Sequence, residues 1–404
     1  MDEIKNNYPT VFCHGFLGWG EFDGVDKFVP YWGIFNGPLM KYLRKEGFEV
    51  YAPSLGPTQS AWDRCCELYA ILFGGTVDYG KIHSLKYGHK RYGRTYEKGL
   101  LEDLGKTEAH KKMNIVGHSF GGPTVMLFQH LMANGCQEEI EGTPANELSP
   151  FFLGGKGHLL HTVTTLSGVN NGTTFASALK NIGVILIDDL VLWMFTALGN
   201  KDFVSNVLDF HMDQWGVMDD PKSGRKSEFR SPFAKQLDIN RYNANKLLDS
   251  IGHEMQIEAM AEMNKFIKDS PNIYYFARRA NRAHPVEGKK IYKMDDDTTI
   301  ISKIAGAVTC RWKSKVLGDV PEYHYDAMEW LPNDGLVNVP GLSAPFNKPS
   351  EIWTENSVIR PGVWYNMPIE HKDHMSWMGL GEDKETFIKY NVDMLESFRR
   401  LADG

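Results

Sequence analysis

What the chain has least of is sulfur that could staple it. Five cysteines, Cys13, Cys65, Cys66, Cys136 and Cys310, are spread over 404 residues. That is too few for a disulfide framework, and the adjacent pair Cys65 and Cys66 is badly placed to bridge, so buried free thiols are expected. An excess of positive charge is also missing: 44 Lys and Arg stand against 51 Asp and Glu, a net charge of −7, and the basic residues are scattered. This excludes the footprint of a nucleic-acid binder and a polybasic membrane anchor. Residues 1–9 lack the apolar core of a secretory signal, so the expectation is either an intracellular chain or a mature form with a restored start Met. The most hydrophobic stretch, residues 175–198, is interrupted by Asp188 and Asp189. A membrane span would bury both near its centre at roughly 2.5–3.5 kcal/mol each, so no transmembrane segment is expected. A buried core helix and a mobile amphipathic lid both remain open for that stretch. Repeats and low-complexity tracts are absent as well.

What is present points to one large core. Hydrophobic residues make up 42% of the chain, enough for a single decorated α/β domain over residues 1–404. Short buried strands are expected at residues 10–13, 48–53, 114–116, 161–166 and 272–276, with helical patterns between them. Strands alternating with helices predict a mostly parallel central sheet covered on both faces, with active residues on the loops at the carboxyl ends of the strands. Between the second and third of these strands lie about 60 residues, where a crossover needs one helix of about a dozen. An insertion is therefore expected at residues 57–103. It contains Asp63 and the aromatic, Gly-rich run 78–92, which has no clear helical or strand period.

The most informative motif is Gly117-His118-Ser119-Phe120-Gly121, directly after Met113-Asn114-Ile115-Val116 and directly before a helical pattern. Small residues around the serine let strand and helix pack closely while Ser119 is held exposed on a strained turn, the geometry of a nucleophile elbow. A serine hydroxyl is a weak nucleophile, so it needs a base, a carboxylate to fix the base, and donors for the oxyanion. Asp334, in Asn333-Asp334-Gly335, lies on a turn between apolar runs. Two histidines compete as base in Glu370-His371-Lys372-Asp373-His374, and His374 is preferred because the apolar residues 375–380 follow it. The order Ser, Asp, His is that of α/β-hydrolases. For the oxyanion, the backbone N–H groups of Phe16, in His14-Gly15-Phe16-Leu17-Gly18-Trp19-Gly20, and of Phe120 are the candidate donors. His14 is read as a structural residue of that loop.

These residues together resemble the large secreted thermoalkalophilic lipases of Gram-positive bacteria. The resemblance is carried by the residue 14–20 loop, the elbow, Gly74-Gly75-Thr76-Val77-Asp78-Tyr79-Gly80 running to Gly93-Arg94-Thr95-Tyr96, Ser270-Pro271-Asn272-Ile273-Tyr274-Tyr275, Asn333-Asp334-Gly335 and Asp373-His374, in family order over nearly the whole chain. It implies an α/β-hydrolase fold, hydrolysis of long-chain acylglycerols and other carboxylic esters at a lipid–water interface, a helical lid (residues 173–235), an extracellular setting and a structural zinc. It carries over Ser119, Asp334 and His374 as the triad and Phe16 and Phe120 as oxyanion donors, the five reached from the residues themselves. At Phe120 many relatives have Gln, which should reshape the acyl pocket without removing activity, since the donor is backbone.

The resemblance also implies the zinc ligands. Asp63, His83 and His89 match by position, and counting back from Ser270-Pro271-Asn272 puts Glu254 fourth; carboxylate and imidazole suit Zn²⁺, and four protein ligands make a closed structural site. Calcium is doubtful. Relatives have a Glu two residues after the catalytic histidine and an Asp several residues on, where this chain has Ser376 and a residue near Gly381, with Glu382 and Asp383 close by. Met255, Met260 and Met263 read as core, and Asp295-Asp296-Asp297 as solvated. The expectation is a lipase, monomeric or weakly self-associating. A carboxylesterase for short soluble esters, a silent zinc-stabilised binding protein and a zinc hydrolase are the alternatives.

Overall fold

The computed structural model describes residues 4–181, 211, 214, 248–311 and 328–403. Its centre is a seven-stranded sheet built from β1 (Thr10–Cys13), β2 (Val50–Tyr51), β5 (Met113–His118), β6 (Leu160–Leu166), β7 (Tyr274–Ala280), β10 (Ser350–Ile352) and β11 (Trp364–Glu370), in the spatial order β10-β11-β7-β6-β5-β1-β2. Every pairing within it is parallel. A parallel sheet must be covered on both sides, so its strands are apolar on both faces. Side chains alternate accordingly. Val11, Cys13, Ile115, Val163, Tyr275 and Trp364 enter one core, whereas Phe12, Val50, Val116, Leu166, Phe276 and Tyr365 enter the other.

The first core is closed by α2 (Ala61–Phe73) and α4 (Gly121–Asn134), the second by α1 (Leu39–Lys45) and the C-terminal helix Lys384–Arg399. The chain leaves β1 towards β2 and leaves β5 towards β6, on opposite sides of the β1–β5 pair. Such a reversal opens a crevice at the carboxyl ends of the two strands, and the loop after β1 and the turn after β5 both face it.

The segment between β2 and β5 is more ordered than its composition predicts. After α2 come an antiparallel pair, β3 (Gly75–Asp78) and β4 (Tyr92–Tyr96), and between them the short helix α3 (Lys81–Tyr87); a second antiparallel pair, β8 (Ala283–Pro285) and β9 (Tyr292–Met294), follows β7. α3 ends at Gly88 in the left-handed region (φ 77°), where a side chain would be strained. These pieces are too short to declare a period. The strand expected at 48–53 shrinks to two residues, and that at 272–276 starts later and runs on to Ala280. All five cysteines are free and buried. Among the described residues no helix is long and apolar enough to cross a membrane. Of the expected lid, only Thr173, the helix Thr174–Asn181 and the isolated residues His211 and Gln214 fall among the described residues; the rest of 173–235 lies outside them.

Candidate functional site

Strand β5 delivers its last residue to a turn that only small neighbours permit. Ser119 has φ 56°, and its backbone is fixed by three bonds: its N–H donates to Leu166 O (3.1 Å), and its carbonyl accepts from Gly122 N (2.9 Å) and Val169 N (3.1 Å). A Cβ on Gly117 would stand 2.2 Å from Gly121 O, and one on Gly121 2.4 Å from Cys13 O. The strand, the helix and the loop after β1 thus approach to backbone contact, and the strained serine is over-determined by its surroundings.

Asp334 and His374 meet across the same crevice. The Nδ1 of His374 lies 2.7 Å from Asp334 Oδ2, and both side chains are buried. The second carboxylate oxygen accepts the Leu336 and Val337 N–H groups at 3.1 and 2.8 Å, so the acid is held on both sides. With Nδ1–H donated to a carboxylate, Nε2 is left as the basic nitrogen. His118, the residue before Ser119, bonds the His374 carbonyl through Nε2 at 3.1 Å and holds that loop against the elbow. His371, the competing histidine, is 70% exposed and faces Asp295 at 3.3 Å. Asp295 also pairs with His284 and Arg282, so the acidic run is tied to neighbours on one side rather than wholly solvated.

The loop after β1 carries the candidate oxyanion donors. His14 donates from Nδ1 to Gly15 O (2.9 Å) and accepts Leu55 N–H on Nε2 (3.1 Å), and burial pushes its pKa well below the ordinary range; it is a structural residue of this loop. Among the described residues, the N–H groups of Phe16 and Phe120 are engaged by no acceptor. Phe120 itself is fully buried, its ring 5.9 Å from the Arg64 guanidinium.

Arg64 was not visible as a site residue. Although it is completely buried, its Nε donates to Thr124 Oγ1 (3.0 Å), Nη1 to Gly56 O (2.8 Å) and Nη2 to His14 O, which ties the loop after β1 to the helix that follows Ser119. One signal existed. Asp63, Arg64 and Glu67 lie in a helix whose other positions are mostly apolar, and buried charges must find partners.

Asp63, His83, His89 and Asp249 converge on one point, with all four ligand atoms within 4.8 Å of one another. His83 Nε2 stands 3.4 Å from Asp63 Oδ1 and 3.4 Å from Asp249 Oδ2; His89 Nε2 stands 4.0 and 3.5 Å from the same two oxygens. A tetrahedron with bonds of about 2.0–2.1 Å has edges of about 3.3–3.4 Å. The residues fit a metal by a second measure: Asp63 Oδ1, His83 Nε2 and Asp249 Oδ2 are buried and make no hydrogen bond. Outer contacts orient them. His89 donates Nδ1–H to Lys90 O (2.8 Å), which turns its Nε2 lone pair inwards, Gln214 Nε2 donates to the outer oxygen of Asp63 (2.8 Å), and Trp62 stacks on His83 at 4.9 Å.

Glu254, expected as the fourth ligand, is not in this cluster. It ends the short helix Ile251–Glu254, and its Oε2 accepts the Ala61 N–H at the start of α2 (2.7 Å), where burial pushes its carboxyl up to about 8. Asp249 takes the fourth position because a bridge between Gln59 and Ser250 lays the residue before that helix beside the start of α2. Counting back along a helix missed a ligand supplied by the loop in front of it.

Residues 6–404 match the family model described as lipase-like, C-terminal domain. Lipase 1 of Staphylococcus aureus (strain MRSA252) is 30% identical over 404 residues, covering 99% of this chain and 55% of that protein. The chain thus spans about half the length of the curated relatives it matches. The structure of EstA from Clostridium botulinum superposes with a TM-score of 0.81 at 30% identity, covering 100% of this chain and 90% of that one. Staphylococcus hyicus lipase gives 0.80 at 28%, covering 98% and 97%.

Proposed function

We infer the activity from one premise: this chain belongs to the family of lipase-like C-terminal domains. The reading is a lipase that hydrolyses carboxylic esters of acylglycerols through an acyl-enzyme on Ser119. The observation that carries it is the strained Ser119, whose chain neighbour His118 bonds the His374 carbonyl, together with the buried Asp334–His374 pair.

In this reaction Ser119 Oγ attacks the ester carbonyl carbon while His374 Nε2 takes its proton, and the imidazolium is stabilised by Asp334. The carbonyl oxygen, now anionic, receives the Phe16 and Phe120 N–H groups. The tetrahedral intermediate collapses as the C–O bond to the glyceride alcohol breaks and His374 protonates the leaving oxygen. Water then repeats the sequence on the acyl-enzyme, returning the fatty acid and free Ser119.

Asp63, His83, His89 and Asp249 would hold a structural Zn²⁺, whose contribution when bound is to cross-link the inserted segment to the core. Four protein ligands leave no open position for a reacting water, which argues against a zinc hydrolase. The resemblance carries an extracellular setting with it, and we adopt that setting.

Hydrolysis of p-nitrophenyl esters of increasing chain length, with and without an emulsified interface, tests the substrate class. Long acyl chains turned over faster above their solubility limit support the lipase. Simple saturation with a clear preference for short soluble esters moves the assignment to carboxylesterase.

A further inference from the structure

One buried chain of hydrogen bonds joins the loop after β1, the residue before Ser119 and the loop that carries His374. The Gly15 N–H donates to the Tyr31 hydroxyl at 2.9 Å, and Tyr31 Oη stands 2.7 Å from His118 Nδ1. The opposite nitrogen of His118 bonds the His374 backbone carbonyl at 3.1 Å. A carbonyl only accepts, so His118 carries its proton on Nε2. Burial pushes this imidazole well below its ordinary range and the Tyr31 phenol upwards, which keeps the first neutral and the second protonated. Nδ1 then presents a lone pair to the Tyr31 O–H, and the phenol oxygen presents one to Gly15. All donors and acceptors in the chain are matched in one direction.

The two ends explain why the chain matters. Gly15 precedes Phe16, whose N–H is one oxyanion donor; His374 is the base; and His118 precedes Ser119. Three segments far apart in sequence are therefore set in one register by two side chains. Tyr31 is held by edge contacts with His14, Trp19 and Trp32 at ring distances of 5.6, 5.6 and 5.3 Å. The His118 ring stands 4.9 Å from that of His374. A neutral neighbour at that distance lets His374 become imidazolium without like-charge repulsion, and the neutral form offers Nδ1 as an acceptor for the Tyr31 O–H, which an imidazolium would not.

We propose that Tyr31 and His118 are positioning residues that lock the oxyanion loop and the base-bearing loop together around Ser119, so that breaking the chain lowers turnover without weakening substrate binding. The inference rests on the proposed acyl-transfer reading. Tyr31→Phe removes one hydroxyl and keeps the ring, and His118→Phe removes both bonds; kcat and KM are measured per active site titrated with a fluorophosphonate. Tyr31→Phe should lower kcat roughly tenfold with KM changed by less than about twofold. The double variant should cost about as much as the worse single one, because both break the same chain. His118→Gln, whose amide can still donate to the His374 carbonyl, should recover part of the loss seen in His118→Phe. If His118→Phe does not fold, Tyr31→Phe and His118→Gln carry the same cycle. An unchanged kcat per titrated site in Tyr31→Phe, or costs that add in full, overturns the inference. Failure of the fluorophosphonate to label Ser119 in the wild-type protein overturns the acyl-transfer reading instead.

Discussion

Asp334 holds His374 by two bonds at once: the backbone N–H of His374 donates to the Asp334 carbonyl at 2.8 Å, and its imidazole Nδ1 to the Asp334 carboxylate at 2.7 Å. The second bond selects the tautomer and the first fixes where the ring stands. Asp334→Asn preserves the shape but offers an amide where a carboxylate must accept, so kcat should fall by about 10³–10⁴, with the melting temperature little changed. Ser119→Ala should lower kcat by about 10⁴–10⁶, because serine and base act as a unit. Steady-state kinetics on folded variants decide this, and near-normal turnover by either one would sink the mechanism.

Asp249 and Glu254 separate the observed His and Asp cluster from the ligand set expected. Asp249→Ala should reduce zinc in the purified protein from about one equivalent to near none and lower the melting temperature by several degrees, since metal binding is coupled to folding. Glu254→Gln keeps an acceptor for the Ala61 N–H and should retain the metal. Elemental analysis of the two variants is the check; zinc lost from Glu254→Gln and kept in Asp249→Ala would reverse the assignment.

The elbow was legible because its demands are local. Glycines at 117 and 121 and an apolar run before them are properties of nine consecutive residues. Asp334 and His374 were legible because chain order and turn composition narrowed the candidates. By contrast, β11 carries Pro368 inside a run without clean alternation, and its register to β7 shifts between Asn366 and Ile369. A proline is tolerated in a strand at such an irregularity, which hides the strand from a period-based reading. Asp249, Arg64, Tyr31 and His118 were hidden for a different reason. Their roles depend on which distant backbone atoms the fold brings to them, and no spacing in the sequence encodes that.

Buried neutral histidines should make the protein acid-labile before its carboxylates do. Burial lowers His130 and His161 from 6.5 to about 4; His130 accepts the Lys268 N–H at 3.1 Å, and His161 has Lys112 nearby, which adds to the lowering, and Asp403, which opposes it. Between those values the unfolded chain binds more protons than the folded one, so stability is present above about pH 6.5 and is lost as pH falls towards 4. The loss is of order 1–3 kcal/mol per histidine. Melting temperature should decline across that window, and His161→Gln should flatten the slope. A melting temperature constant from pH 6.5 to 4.5 would contradict the assignment of neutral buried imidazoles.

The turn that carries His374 is clamped by its own neighbour, Asp373. One Asp373 oxygen accepts the Met375 and Ser376 N–H groups at 2.9 and 3.1 Å, and the other accepts the Thr299 N–H at 2.7 Å, which ties the turn to the start of the helix Ile300–Thr309. Asp383 is directed elsewhere, accepting the Thr386 N–H at 3.0 Å as the cap of the C-terminal helix. Ca²⁺ takes six to eight oxygens, commonly several from carboxylates, and a site robbed of these two would have to draw on Glu382 and backbone carbonyls. The clamp therefore supplies through protein N–H donors the rigidity that a cation would otherwise give. Millimolar Ca²⁺ added to chelator-treated, zinc-restored enzyme should shift the melting temperature by no more than about a degree or two. Asp373→Ala should lower kcat by roughly tenfold or more, because it frees three N–H groups beside the base. Strong stabilisation by Ca²⁺ together with an indifferent Asp373→Ala would show that a cation, and not the carboxylate, holds the histidine.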